Sequence, residues 1–394
     1  MLQKSHKTFS CLAECCPQHC CVAWKIAVDQ ETIDRWKTLP DSIYQELLKS
    51  TAWEQGPAGG YRMLRKKENG DCIRLDNSGL CTIELEHGAA MQPSGCRRYP
   101  RKYYQIADTI IKTAELSCPE VARLVVNNDS AKVFDAGIYF SKSEILQLQD
   151  KEQVCYALYR FMMRALGCKA GSLSVKICLI AQTTGKLLDR LEEEGFQPMS
   201  FKSVFSKVLS SPEKKLATLA HQYSSNQVRV RRDRLSLYWQ AITIIIKRRA
   251  MEFRGVKLYD SGIWHTLNKT PELLTTKFQS RLPLGTRIKV NPMLESALAN
   301  YVYTIYLSHG FPLNPCHDNL LLSLAHCNII FSITSLLLNA IQETRDVEIE
   351  DVANIIWQVD RISGNSDDLY QFIAANDVLL IPELYSASPG YLFG

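Results

Sequence analysis

The sequence lacks an apolar leader. Its first ten residues, "MLQKSHKTFS", carry two lysines but neither a hydrophobic stretch nor a small-residue cleavage site, so no secretory signal is expected and the address read from the sequence is cytoplasmic. Paired C-x2-C knuckles are missing too, which weighs against the commonest zinc modules. No glycine-rich loop follows a strand and no acidic residue closes a second strand, so a Rossmann-type methyltransferase is not marked; "LGCKAG" (166–171) sits between helical patterns. Zinc-finger, RNP and helix-turn-helix signatures are absent, so no nucleic-acid partner is expected. No internal repeat is evident, and nothing in the sequence fixes an oligomeric state.

A long apolar run is nearly present. From Asn319 to Gln342 there is no Asp, Glu, Lys or Arg, and 13 of the 19 residues from Leu320 to Leu338 are apolar. A membrane span needs about 20 predominantly apolar residues. His326 and Asn328 near the middle, with Ser323, Ser332, Thr334 and Ser335, point instead to the buried central helix of a bundle, and no membrane span is expected.

What the chain has in plenty is cysteine. Of 14 cysteines, nine fall in the first 118 residues, five of them within "FSCLAECCPQHCCVAW" (9–24). Disulfides are rare in a reducing compartment, and 394 residues bury a large core without staples. The concentration therefore reads as metal or redox chemistry: thiolates are soft ligands that suit zinc or an iron–sulfur cluster, and redox-sensing thiols are the other reading. Cys155, Cys168, Cys178, Cys316 and Cys327 lie in apolar helical patterns and read as small buried hydrophobes. Adjacent Cys20 and Cys21 point in different directions on a helix, which favours a larger cluster or two sites sharing a segment. The spacing is not C-x3-C-x2-C, because the third position falls on Gln18 or Ala23.

Charge is polarised along the last third. Residues 229–290 hold 14 Lys/Arg against 4 Asp/Glu, whereas 291–394 hold 2 against 12, within a net charge of +5. The basic stretch, with "VRVRRDR" (228–234), suits an anionic partner or the chain's own acidic end; the acidic end, including Glu348, Glu350 and Asp351, suits a lysine-bearing partner.

The expected fold is mainly α. A cysteine-rich module over 1–126, with short irregular and hairpin elements, is joined to an all-helical domain over 127–394 that suits substrate binding. Helices are expected near 142–167, 172–194, 213–225, 233–252, 293–308, 318–342 and 347–361. A further helix at "DQETIDRWKTL" has Asp29 as its N-cap, and a hairpin is expected at "DCIRLDNSGLCTI". "CRRYPR" sets Arg97, Arg98 and Arg101 beside Cys96, where they suit the charge of a cluster or a carboxylate; Tyr99 suits orienting or deprotonating a lysine. Trp24 suits shielding a cluster or stacking on a cation.

"FSCLAECCPQHCCVAWKIAVD", "GDCIRLDNSGLCTIELEHG", "GCRRYPR" and "LSCPEVARLVV" resemble, in order and spacing, the flagellin lysine-N-methylase family of bacteria, part of a broader group of cysteine-cluster proteins described as zinc- or iron-chelating. Phe9, Cys11, Cys16, Cys20, Cys21 and Trp24 fall on the pattern F-x-C-x4-C-x3-C-C-x2-W, and Cys72, Cys81, Cys96 and Cys118 on its later elements. Cys15 lies off the pattern, and a further cysteine that the family often carries before Arg-x-Tyr-Pro-Arg is replaced by "AAMQPSG". The resemblance covers 9–126. It implies ε-N-methylation of flagellin lysines from S-adenosylmethionine before export, with a [4Fe-4S] cluster, or zinc as the alternative metal, held by four of Cys11, Cys16, Cys20, Cys21, Cys72, Cys81, Cys96 and Cys118. It leaves two other classes open: an iron–sulfur or zinc protein without methyl transfer, and a flagellin-binding protein whose cluster is structural.

Overall fold

The computed structural model describes residues 9–21, 25–56, 59–106, 108–128, 134, 138, 140–141, 144–145, 148–193, 209, 211–224, 292–313, 319–342, 345–363 and 367–375. Trp24, Cys316, the basic segment and the helix expected at 233–252 lie outside them. The described chain is mostly helical with two small sheets.

Short elements come first. Helices α1 (Gln30–Trp36) and α2 (Asp41–Lys49) precede the hairpin β2 (Thr51–Gly56) and β3 (Gly59–Leu64), and β1 (Ala27–Val28) adds to the other edge of β3. The expected cap holds: Asp29 accepts the Thr32 amide at 2.8 Å. This helix delivers Trp36 to the core, wholly buried, where its indole N–H satisfies the Met91 carbonyl at 2.7 Å. Helices α3 (Thr82–His87) and α4 (Ser94–Arg98) follow, then the hairpin β4 (Arg101–Ile106) and β5 (Thr109–Ala114) and helix α5 (Pro119–Val126). Pro119 stands in the first turn of α5, where a missing N–H costs nothing.

The long helices are α6 (Asp150–Gly167), α7 (Leu173–Glu193), α8 (Pro212–Ser224), α9 (Pro292–Ser308), α10 (Leu320–Gln342), α11 (Ile349–Ser363) and α12 (Asp367–Ala374). Five of the helices expected in this part stand within a few residues of their anticipated bounds, and the first starts later, at Asp150. No helix among the described residues is long and apolar enough to cross a membrane. Helix α10, the near-span, is buried and most of its polar groups find partners: Ser332 and Ser335 hydroxyls bond back to the Asn328 and Phe331 carbonyls, Thr334 meets the Tyr301 hydroxyl at 2.9 Å, and Asn328 accepts from Tyr306 at 2.9 Å, while His326 Nδ1 and Asn328 Nδ2 are buried without a hydrogen bond.

The apolar packing falls into two cores. A small one gathers Ile26, Val28, Ile33, Trp36, Leu47, Leu64, Cys72, Leu75 and Ile83, with Cys21, Cys81 and Cys96 against it. A large one runs from Phe9 and Ile106 through α5 to α12. Helix α11 is buried along nearly its whole length and packs on α5 and α10, so it ties the second hairpin's end of the chain to the helical layer.

Inside the large core sits a polar pair. His309 Nε2 lies 2.9 Å from Asp360 Oδ1, and the His326 ring meets His309 edge-on and stacks on Tyr370. Burial pushes the Asp360 carboxyl up to about 7 and His309 down to about 3, so the uncharged pair, with the carboxyl donating to the imidazole, is the form the core favours. The two shifts oppose each other in pH. A raised Asp360 contributes stability that is lost as pH rises through about 7, and a depressed His309 contributes stability that is lost as pH falls from 6.5 towards about 3. Asp360→Asn keeps a donor to the imidazole in its amide N–H and removes the first effect. Its urea-unfolding stability should therefore decline on acidification below pH 6.5, by about 1.4 kcal/mol per pH unit for one proton; a flat profile would contradict a neutral buried His309.

Candidate functional site

The cysteine-rich strip folds as loops held by backbone bonds. The Cys72 amide donates to the Cys21 carbonyl at 2.9 Å, an antiparallel bridge pairs Lys66 with Cys72, and another pairs Leu75 with Cys81. The hairpin expected at "DCIRLDNSGLCTI" is thus reduced to these isolated bridges around a side-chain-closed turn. Asp76 Oδ1 accepts the amides of Ser78 and Leu80, each at 2.9 Å, and the chain then enters α3 instead of a second strand. Gly79 closes that turn with φ +84°, and a Cβ there would stand 3.4 Å from the His19 ring.

These loops bring thiols from distant positions into mutual influence. Cys72 lies in the small core with Cys21, Cys81 and Cys96 packed against it, and the charges of Cys72 and Cys81 bear on both Cys21 and Cys96. Cys11 acts on Cys16, and Cys16 and Cys20 act on Cys118, which belongs to the large core. Cys20 neighbours both groups, being hydrogen-bonded to Cys21. That bond favours a thiolate at Cys20 and keeps the Cys21 proton in place. Burial raises Cys16, Cys72 and Cys96, and pushes the Cys118 thiol up to about 12. Cys11 and Cys15 are exposed, and no disulfide forms among the described residues.

Two cations face the thiols, and sequence reading found neither. Lys66 Nζ donates to the Cys21 carbonyl at 3.3 Å and acts on Cys72 and Cys96. Arg361, from the last turn of α11, donates to the His19 carbonyl at 3.4 Å and the Ser117 carbonyl at 3.2 Å, and its charge bears on Cys16 and Cys20. The arginines of "CRRYPR" are placed differently. Arg97 and Arg98 are exposed on α4, Arg97 reaching Glu31 and Ser94 at 3.4 Å and Arg98 the Ser94 carbonyl at 3.3 Å. Arg101 donates to the Phe9 carbonyl and lies over its ring.

Tyr99 lies against the large core with its hydroxyl 3.2 Å from Ser117 Oγ. Burial raises its phenol well above the ordinary value, so it stays protonated at neutral pH. The Tyr99 and Ser117 hydroxyls share this hydrogen bond, and either can donate. His19 was not anticipated; its Nδ1 is buried with no hydrogen-bond partner, and burial lowers its proton affinity.

Chemically the donors are of the kind a thiophilic metal takes, thiols that form no disulfide among the described residues. The fit is one of donor kind and number. Among the described residues no three His, Cys, Asp or Glu side chains stand close enough to hold one ion.

Against known proteins, the chain is 26% identical over 165 residues to a flagellar biosynthetic protein, FliU, of Salmonella muenchen, a match covering 38% of this chain and 92% of that one. It is 24% identical over 190 residues to lysine-N-methylases of Salmonella typhimurium and Salmonella choleraesuis, covering 40% of this chain and 45% of each of them. The match thus spans a little under half the length of the lysine-N-methylases. No protein-family model matches the chain. No solved structure matches it.

Gly79→Ala tests the turn that carries Cys72 and Cys81 to the same core. A left-handed alanine costs roughly 1–2 kcal/mol, so the urea midpoint should fall accordingly; an unchanged midpoint would show that the turn does not hold this conformation.

Proposed function

We propose that the chain is a protein-lysine N-methyltransferase acting on flagellin, with S-adenosylmethionine as methyl donor and a [4Fe-4S] cluster held by cysteine thiolates. The observation that supports it best is the convergence of Cys21, Cys72, Cys81 and Cys96 on one small core, in a chain similar to proteins called lysine-N-methylase. These four would hold the cluster, with Cys20 beside them and Cys11, Cys16 and Cys118 forming the neighbouring group. When bound, the cluster supplies four thiolate cross-links and an electron-transfer centre.

The reaction asks little of the protein beyond orientation and a neutral amine. The lysine nitrogen lone pair attacks the sulfonium methyl, an N–C bond forms, and the methyl–sulfur bond breaks with its electron pair passing to sulfur; the ammonium proton leaves to a base. In this reading Arg97 and Arg98, exposed beside Cys96, would leave Glu31 and Ser94 to take the carboxylate of S-adenosylmethionine. The Tyr99 phenol, paired with the Ser117 hydroxyl, would orient the lysine.

The acidic end supports a lysine-bearing substrate in part. Glu348 and Glu350 are exposed and border a groove of about 360 Å³ with Met293, Leu294, Val347 and Ile349, walls that suit a lysine stem and rims that suit its ammonium. Asp351 does something else. It is buried, takes both guanidinium arms of Arg345 at 2.6 and 2.7 Å, and accepts the Glu348 amide at 2.9 Å, so it caps α11.

Anaerobically purified protein incubated with methyl-labelled S-adenosylmethionine and flagellin should label flagellin lysines. Cys20→Ser and Cys72→Ser should reduce labelling at least tenfold, and Cys15→Ser should leave it unchanged. Labelling absent from the wild-type chain, with its metal intact, would favour a metal protein without methyl transfer. Separately, Glu348→Gln with Glu350→Gln should slow labelling several-fold at low salt and much less at 0.5 M salt, because charge steering is screened; equal rates at low salt would remove the groove from the substrate path.

A further inference from the structure

We propose that the groove at the head of α11 is a docking subsite for a second lysine of the substrate, separate from the place where methyl transfer occurs. This deepens, and rests on, the reading of the chain as a methyltransferase of a lysine-bearing protein.

The chemistry of the groove names its occupant. Met293, Leu294, Val347 and Ile349 form apolar walls, and the exposed carboxylates of Glu348 and Glu350 border them, around a space of about 360 Å³. A long apolar stem that ends in a cation is a lysine side chain. The helix itself does not use these two carboxylates. Asp351 already caps α11 by accepting the Glu348 amide at 2.9 Å, and it also takes the neighbouring Arg345. Among the described residues neither Glu348 nor Glu350 is paired with a cation.

The groups given to the reaction lie at the other end of the same helix. Tyr99 shares a hydrogen bond of 3.2 Å with the Ser117 hydroxyl, and the Ser117 carbonyl accepts from Arg361, in the last turn of α11, at 3.2 Å. From Ile349 to Arg361 the helix advances twelve residues at about 1.5 Å each, roughly 18 Å. Helix α9 spans the same gap alongside it. Its first turn brings Met293 and Leu294 to the groove, and His309, the residue after its end, meets Asp360 at 2.9 Å beside Arg361. A lysine side chain is five single bonds long and reaches about 6 Å. One lysine therefore cannot serve both ends. The lysine held in the groove tethers the polypeptide while another, several residues along the substrate, enters the reaction end at a raised local concentration.

Two flexible Gly/Ser peptides test this with the full-length chain. One carries two lysines; in the other, norleucine replaces one of them and keeps the stem without the charge. Binding of the fluorescently labelled two-lysine peptide, read by anisotropy at low salt, should weaken about fivefold in Glu348→Gln with Glu350→Gln, the scale of an exposed ion pair; unchanged binding would overturn the inference. Methylation is then read anaerobically with methyl-labelled S-adenosylmethionine. The wild-type chain should methylate the two-lysine peptide with a kcat/KM per lysine about fivefold above that of the one-lysine peptide, and the double variant should treat the two alike. Equal kcat/KM per lysine in the wild-type chain would put the reacting lysine in the groove and overturn the inference. Flagellin left unlabelled by the wild-type chain would overturn the methyltransferase reading, and the role of a second lysine with it, whatever the binding result.

Discussion

Two backbone carbonyls, those of His19 and Ser117, converge on the guanidinium of Arg361. Much of the molecule's organisation hangs on that meeting. The small core closes around Trp36 and places Cys21, Cys72, Cys81 and Cys96 near one another. The large core holds Cys118, at the head of α5, against α11. Through the arginine the last turn of α11 touches both segments, next to Cys20 and next to Cys118.

The helical part is built to keep that turn in place. Helix α11 is buried along nearly its whole length, Asp351, Asn354, Gln358 and Asp360 included. Asp351 begins it by binding Arg345 and the Glu348 amide, and Asp360 near its end pairs with His309. Buried polar pairs cost more to satisfy than apolar contacts and tolerate fewer arrangements. The wholly buried Asp360–His309 pair restricts the arrangements open to the end of α11.

Much of this was legible in the sequence. The long apolar periods located five helices of the second half closely, because a buried face imposes its own spacing. The nine cysteines marked the site by density alone. What was missed has physical reasons. The hairpins β2–β3 and β4–β5 expose Trp53, Tyr61, Tyr103 and Ile110, so their strands do not alternate cleanly between apolar and polar. Asp351 was read as surface charge, although an acidic residue three positions after Glu348 at a helix start is a capping signal. Arg361 gave no local sign, since its partners are hundreds of residues away. The arginines beside Cys96 were read from adjacency, and the short helix α4 leaves Arg97 and Arg98 exposed.

The most direct measurement of the central claim is the iron, sulfide and zinc content of anaerobically purified protein, taken with its visible spectrum. The account predicts about four irons and four sulfides per chain with broad visible absorbance. Protein that is fully folded yet carries neither iron nor zinc would contradict it, and would leave the gathered cysteines as redox-sensing or merely buried thiols.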